Sequence, residues 1–103
     1  MKNELLHDFF LGFVRIYILY HASQTGVYGM GLMKELARHG YQIGPGTVYP
    51  ILHGMERKGF LTSDKEIRNG KVRKYYRITA KGKSTLAAAQ DLAWELVNEI
   101  HEE

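Results

Sequence analysis

Apolar residues recur at helical spacing in four stretches of the chain. Between the third and the fourth stretch, two runs with alternating apolar and polar residues replace this spacing. The spacing and its capping residues predict helices over residues 2–22, 29–38, 45–58 and 80–101. The extended runs cover residues 60–67 and 71–78. They are joined at Asn69-Gly70, a pair that is typical of a β-hairpin because both residues tolerate positive φ. Thr79 is placed to cap the last helix.

This order of elements predicts the fold class. A short helix, a tight turn and a second helix form a helix-turn-helix. The hairpin and the last helix that follow it make a winged helix-turn-helix, an α+β fold that is mainly helical, in the order α-α-α-β-β-α. We expect one domain of 103 residues with three parts. Residues 1–23 form an N-terminal dimerisation and core helix, residues 24–79 the DNA-binding region, and residues 80–103 a C-terminal dimerisation helix.

The first helix is apolar enough to raise the question of a membrane span. Twelve of the sixteen residues from Leu5 to Tyr20 are apolar. Asp8 and Arg15 interrupt the stretch, and it is shorter than the roughly 20 residues that a span needs. We therefore expect a cytoplasmic protein whose first helix is buried on more than one side, in its own core and against a partner.

Composition excludes most catalytic classes. The chain has no cysteine, which removes disulfides, cysteine-ligated zinc and thiol catalysis. Its five histidines are scattered without metal-ligand spacing, and no glycine-rich phosphate loop or serine-nucleophile motif is present. We expect no enzyme activity, no catalytic residue, no metal and no cofactor.

The distribution of charge points to an anionic partner. Ten of the fourteen Lys and Arg residues lie between Arg57 and Lys83, where the only acids are Asp64 and Glu66. From Ser84 onward there are five acids and no Lys or Arg. One segment is thus suited to meet the phosphates of DNA and the tail to avoid them.

The third helix is predicted to read DNA. Helical spacing puts its apolar residues on one face and leaves the other side free for a groove. The residues expected to contact DNA are Gly46, Thr47, Tyr49, Pro50, His53 and Arg57. The hydroxyls of Thr47 and Tyr49 suit phosphate, and Arg57 suits phosphate or a guanine edge.

The hairpin is predicted to be a DNA-binding wing. Its expected contacts are Arg68, Asn69, Lys71, Arg73 and Lys74, with the tip reaching a minor groove. Strand alternation sends Tyr75 and Tyr76 to opposite faces. We expect one of these tyrosines in the core and the other to bind phosphate through its hydroxyl.

The last helix has an apolar stripe that its own domain does not need. Pairing with the first helix of a second subunit would cover it and place two recognition helices about 34 Å apart. The residues expected in this dimer interface are Phe9, Phe10, Phe13, Leu92, Leu96 and Ile100. Trp94 lies on the shoulder of the stripe, where it is placed to cover the dimer seam.

Several motifs resemble the PadR family of transcriptional regulators. They are Tyr28-Gly29, the run from Pro45 to Leu52, Gly59-Phe60-Leu61, and the run from Arg73 to Thr79 with Gly82. The resemblance implies a dimeric winged-helix repressor of the smaller PadR subgroup, with Thr47, Tyr49 and Pro50 in the recognition helix and residues 68–74 in the wing. Some members of the resembled family bind aromatic effectors between their C-terminal helices, so the resemblance also implies an alternative for Trp94, stacking on a flat aromatic effector. The chain departs from the family pattern at Gly44, where Ser is usual, at Met30-Gly31, and at His53-Gly54.

The function expected from these observations is sequence-specific binding of double-stranded DNA by a homodimeric repressor, on an inverted-repeat operator and in response to a candidate small aromatic effector. The alternative is a winged-helix protein-interaction module whose basic hairpin docks on an acidic protein. The sequence leaves open the operator, the regulated genes, whether an effector exists and which molecule it is, and whether the protein represses or activates transcription.

Overall fold

The computed structural model describes residues 3–101, and it contains the elements that the sequence predicts, in the predicted order. Four helices and one two-stranded sheet follow one another along the chain. Their bounds are α1 Glu4–Gln24, α2 Gly29–Arg38, α3 Pro45–Arg57, β1 Leu61–Arg68, β2 Lys71–Ile78 and α4 Ala80–His101. The class is therefore confirmed as mainly helical α+β with the winged-helix order. The predicted start of the first helix at residue 2 and the end of the tail at 102–103 lie outside the described residues.

Local capping explains where the helices begin and end. Asn3 precedes α1, and its Oδ1 accepts the Leu6 N–H at 2.8 Å, so the helix begins at Glu4. The helix continues to Gln24, two residues beyond its predicted end, and the Thr25 N–H still donates to the His21 carbonyl. At α4, the Thr79 Oγ1 accepts the Gly82 N–H at 3.0 Å, which confirms Thr79 as the cap.

The core lies where the three N-terminal helices meet the inner face of the hairpin. Val14, Ile18, Leu36, Val48 and Leu52 are almost fully buried in it. Strand β1 pairs antiparallel with β2 from Leu61↔Ile78 to Arg68↔Lys71, and a short bridge from Val27 to Tyr76 extends the sheet beyond β2. This bridge ties the segment between α1 and α2 to the wing.

Helix α4 packs against the domain only along its first part. Gly82 and Leu86 are buried, but every residue from Gln90 to His101 is exposed. The exposed part is amphipathic, since it carries large apolar side chains as well as acids. Among the described residues, no helix is long and apolar enough to cross a membrane.

Candidate nucleic-acid interface

Helix α3 presents one buried and one exposed side, as its spacing predicts. Gly44 precedes it without a side chain to cap it, and Pro45 occupies its first turn, where the missing N–H costs nothing. Val48, Ile51, Leu52 and Met55 are buried in the core. The other side exposes Gly46, Tyr49, Pro50, His53 and Arg57, while Thr47 is half-buried. This arrangement leaves an outward surface on which a groove of DNA can lie.

The ring of Tyr49 packs against the start of α2 at Gly29, where the lack of a side chain leaves room for it. A Cβ added at Gly29 would lie 2.4 Å from Cε1 of the Tyr49 ring, much closer than van der Waals contact. The ring therefore packs directly on the α2 backbone and stays 36% exposed. Sequence reasoning missed this contact. The glycine that opens α2 was the one local sign of a close approach.

The hairpin turns tightly at its tip. Asn69 and Gly70 both have positive φ, 53° and 75°, and they link the last pair Arg68↔Lys71 as a two-residue turn. The register puts Arg73, Tyr75 and Arg77 on the outer face and Lys74, Tyr76 and Ile78 on the inner face, as alternation predicts.

The expectation that one of the two wing tyrosines is free to bind phosphate is wrong, because both are buried. Tyr76 is 1% exposed and belongs to the core, where burial raises its pKa. Tyr75 is 2% exposed although it faces outward. The Tyr28 ring packs edge-on against it at 5.3 Å, and the Arg68 guanidinium lies 4.1 Å from its centroid.

The outer face of the wing carries an ion-pair network. Glu66 accepts from Arg68 at 2.7 Å and from Arg77 at 2.9 Å, and Asp64 lies 3.4 Å from Arg77. The bond from Arg68, followed by that from Arg77, lowers the pKa of Glu66. Arg68, predicted to contact DNA, is thus engaged with Glu66 and Tyr75 in this structure. Arg73 stacks over the Tyr28 ring at 4.5 Å.

Glu56 connects α3 to both strands of the wing. Its Oε2 accepts from Ser63 Oγ at 2.5 Å, and its Oε1 lies 3.4 Å from Lys74 Nζ. The Ser63 bond, with the contribution of Lys74, lowers the pKa of Glu56. This contact ties the wing to α3. Sequence reasoning missed it because the partners come from three elements.

A cleft of about 300 Å³ lies between the start of α2, α3 and strand β2. Its lining brings together residues predicted separately on the helix and on the wing, namely Tyr49, His53, Arg73 and Lys74. Tyr76 also lines the cleft, but its hydroxyl is buried and has no hydrogen-bond partner within residues 3–101. Arg57, Arg68, Asn69 and Lys71 lie outside the cleft. The cleft therefore brings Tyr49, which carries a hydroxyl, together with the cations Arg73 and Lys74, and hydroxyls and cations are the groups that bind phosphate oxygens.

The predicted dimer surface is exposed, with one exception. Phe9, Phe13, Leu92, Leu96 and Ile100 are all exposed, and Trp94 is 68% exposed. Phe10 is half-buried within its own subunit and packs on Tyr41, with ring centroids 5.4 Å apart. Phe10 therefore has only part of its side chain free for a partner, and its place in the dimer interface stays a prediction. Within residues 3–101 no cluster of His, Asp and Glu could hold a metal ion.

Comparison with known proteins agrees with this geometry. Residues 18–88 match the transcriptional regulator PadR-like family. The chain is 39% identical over 95 residues to Transcriptional regulator Rv3488 of Mycobacterium tuberculosis, covering 92% of this chain and 89% of that protein.

Solved structures share the fold over nearly the whole chain. The crystal structure of a PadR family transcriptional regulator from Eggerthella lenta superimposes with a TM-score of 0.79 at 29% identity, covering 93% of this chain and 85% of that one. A PadR-like transcriptional regulator from Bacillus cereus gives a TM-score of 0.74 at 31% identity, covering 89% and 94%. The chain belongs to the PadR-like family, whose members are transcriptional regulators and not enzymes.

Proposed function

We propose that this regulator is a homodimeric repressor that binds a specific inverted-repeat sequence in double-stranded DNA. The observation that carries the proposal is the cleft in which Tyr49 and His53 of α3 meet Arg73 and Lys74 of β2. Helix and wing there offer donors to one stretch of DNA, with α3 in the major groove and the wing tip at the neighbouring minor groove.

Phosphate contacts supply most of the affinity in this proposal. Lys71 and Asn69 at the wing tip are exposed, and so are Lys74 and Arg57. Each cation that neutralises a phosphate releases counterions, so the affinity falls as salt rises. Arg68 adds to this set only where DNA phosphate competes with Glu66 for its guanidinium.

Dimerisation is proposed through α1 and the second half of α4. In a single subunit, large apolar side chains of both helices are exposed to water. They are Phe9 and Phe13 on α1 and Leu92, Leu96 and Ile100 on α4. Covering them with a second copy removes this apolar surface from water. A two-fold axis would then present two α3 helices to successive major grooves, about 34 Å apart. Residues 1–23 and 80–103 thus act in dimerisation and residues 24–79 in DNA binding.

Trp94 lies on the same surface and marks the proposed place for an effector. Its ring is two-thirds exposed, beside the residues that would form the seam. A flat aromatic molecule could stack on it between two subunits. The proposed regulator acts in the cytoplasm, where its DNA lies.

The test is selection of bound duplexes from a random pool at near-physiological salt. Enrichment of an inverted repeat is the expected result, with a half-site spacing that gives the distance between the two recognition helices. With about 6–10 phosphate contacts, affinity for the enriched duplex should fall by about 10³–10⁵ between about 50 and 200 mM salt. Failure to enrich any sequence contradicts specific recognition. No binding to any duplex favours the alternative, a module that docks on an acidic protein.

A further inference from the structure

Two large apolar side chains of the wing lie outside the core. Ile67 is 74% exposed and Val72 is 64% exposed, and the register places them directly opposite each other on β1 and β2. Within residues 3–101 the hydrophobic core includes neither of them. The described apolar side chains of comparable exposure lie on α1 and α4, where a second copy is proposed to cover them. Ile67 and Val72, which we call the apolar pair, are therefore left for a different partner.

The apolar pair is bordered by cations. The neighbouring cross-strand pairs are Lys65↔Lys74 on one side and Arg68↔Lys71 on the other. Strand alternation puts Lys65 and Lys74 on the same face as the apolar pair. Within residues 3–101, Lys65 and Lys71 take part in no ion pair, whereas Lys74 and Arg68 each have a glutamate partner. A matching partner is therefore apolar at its centre and anionic at its edges.

The apolar pair also continues the surface that is proposed to face DNA. Val72 lines the cleft between α2, α3 and β2, together with Tyr49 and His53 of the recognition helix. Ile67 lies across the sheet from Val72, and the turn of the wing begins just beyond them. The pair thus lies between the cleft and the wing tip, which is proposed to reach a minor groove.

We propose that Ile67 and Val72 contact the minor groove beneath the wing and make the protein prefer A·T over G·C base pairs there. The proposal rests on the proposed function and adds two residues to its DNA contacts. The groove has the required chemistry, because sugars form its walls and phosphates line both of its edges. It is about 6 Å wide, and the Cβ atoms of a cross-strand pair are about 4.5–5.5 Å apart.

The preference for A·T follows from one polar group. Both kinds of base pair present acceptors in the minor groove, and a G·C pair adds the 2-amino group of guanine. Two hydrocarbon side chains cannot accept a hydrogen bond from that group. Burying an unsatisfied donor is costly, so we expect G·C pairs beneath the wing to lower affinity by about tenfold.

The experiment combines changes in the base pairs with changes in the apolar pair. The full chain is titrated by fluorescence anisotropy with the selected duplex, in which the flanking minor-groove positions carry A·T, G·C or inosine·C pairs. Inosine·C keeps the major-groove groups of G·C but lacks the 2-amino group. The double variant Ile67→Thr/Val72→Thr removes the apolar surface and keeps β-branched side chains, which favour the strand. Ile67→Val is the conservative variant, and Lys71→Ala is the control for a lost phosphate contact.

We expect the unaltered chain to bind the A·T and inosine·C duplexes equally and the G·C duplex about tenfold more weakly. The double threonine variant should bind all three within about threefold of one another, since a hydroxyl can accept from the 2-amino group. Its slope of log affinity against log salt should not change, because no phosphate contact is lost. Ile67→Val should keep the preference. Lys71→Ala should also keep it, with a slope that is reduced by about 1.

Three results would overturn the proposal while the proposed function stands. They are equal binding of the A·T and G·C duplexes by the unaltered chain, an unchanged preference in the double threonine variant, and a reduced salt slope in that variant. The last result would mean that the wing has moved and that the pair has only a structural role. Thermal unfolding followed by circular dichroism provides an independent check on folding. If the unaltered chain binds no duplex at all, the proposed function fails, and this proposal fails with it.

Discussion

The packing of Tyr49 on the bare backbone of α2 allows the position of its hydroxyl to be tested without replacing any of the residues predicted to contact DNA. The change is Gly29→Ala. The new Cβ would lie 2.4 Å, 2.6 Å and 2.9 Å from Cε1, Cζ and the hydroxyl oxygen of Tyr49. Carbon atoms pack at about 3.5–4.0 Å, so the ring must move outward by about 1 Å. The ring is partly exposed and can do so without disturbing the core.

The expected cost appears in DNA binding more than in stability. A hydrogen bond from the Tyr49 hydroxyl to phosphate is charge-assisted and contributes about 1.5 kcal/mol, or about tenfold in affinity. The displaced ring loses that bond. The free energy of unfolding should change by no more than about 1 kcal/mol, because the clash is relieved by a surface side chain.

A double-mutant cycle measures this coupling by fluorescence anisotropy on the selected duplex. Tyr49→Phe removes only the hydroxyl and should lower affinity by the same factor of about ten. In the Tyr49→Phe background, Gly29→Ala should have almost no further effect on DNA affinity. Losses that simply multiply would refute the reasoning, since Gly29 would then act independently of the Tyr49 hydroxyl. Urea unfolding of each variant provides the control for stability.

Three further predictions concern the wing, the dimer and the link between wing and helix. Arg73→Ala should weaken binding to all duplexes and reduce the slope of log affinity against log salt by about 1, and unchanged affinity would exclude Arg73 from the interface. Leu96→Asp should give monomers that bind DNA poorly, and a variant that light scattering still finds dimeric would reject the proposed seam. The pKa of Glu56 is lowered from its ordinary value of 4.5. Its carboxylate therefore stabilises the fold above about pH 4.5, and this contribution is lost as the pH falls through the lowered pKa. Glu56→Gln should therefore lower the unfolding free energy near neutral pH and progressively less as the pH falls below about 4.5, and an equal loss at every pH would show that charge is not the cause.

Local rules were enough to predict the order and most bounds of the elements. The Asn69-Gly70 turn has the positive φ angles that were expected of it, and α2, β2 and α4 have their predicted bounds. These features depend on residues close in sequence, so a single chain carries enough information for them. The N-terminus of α3 has no side-chain cap, which also follows directly from the glycine at position 44.

Contacts between distant segments could not be predicted in this way. Alternation places Tyr75 outward correctly, but its burial depends on Tyr28 from the start of α2. The hydrogen bond of Glu56 with Ser63 and its ion pair with Lys74 depend on how α3 lies against the sheet. Phe10 has a partner in Tyr41, which no periodicity in α1 indicates. In each case the deciding residue belongs to another element.

Two copies of α3 and of the wing are proposed to contact one face of a DNA duplex, with the wing tips at the minor groove. Hydroxyl-radical footprinting on the selected duplex tests this placement, with the unaltered chain and Lys71→Ala side by side. We expect two protected tracts centred about one helical turn apart, flanked by minor-groove protection that weakens in Lys71→Ala. A single tract, or flanking protection that is the same in both proteins, would contradict it.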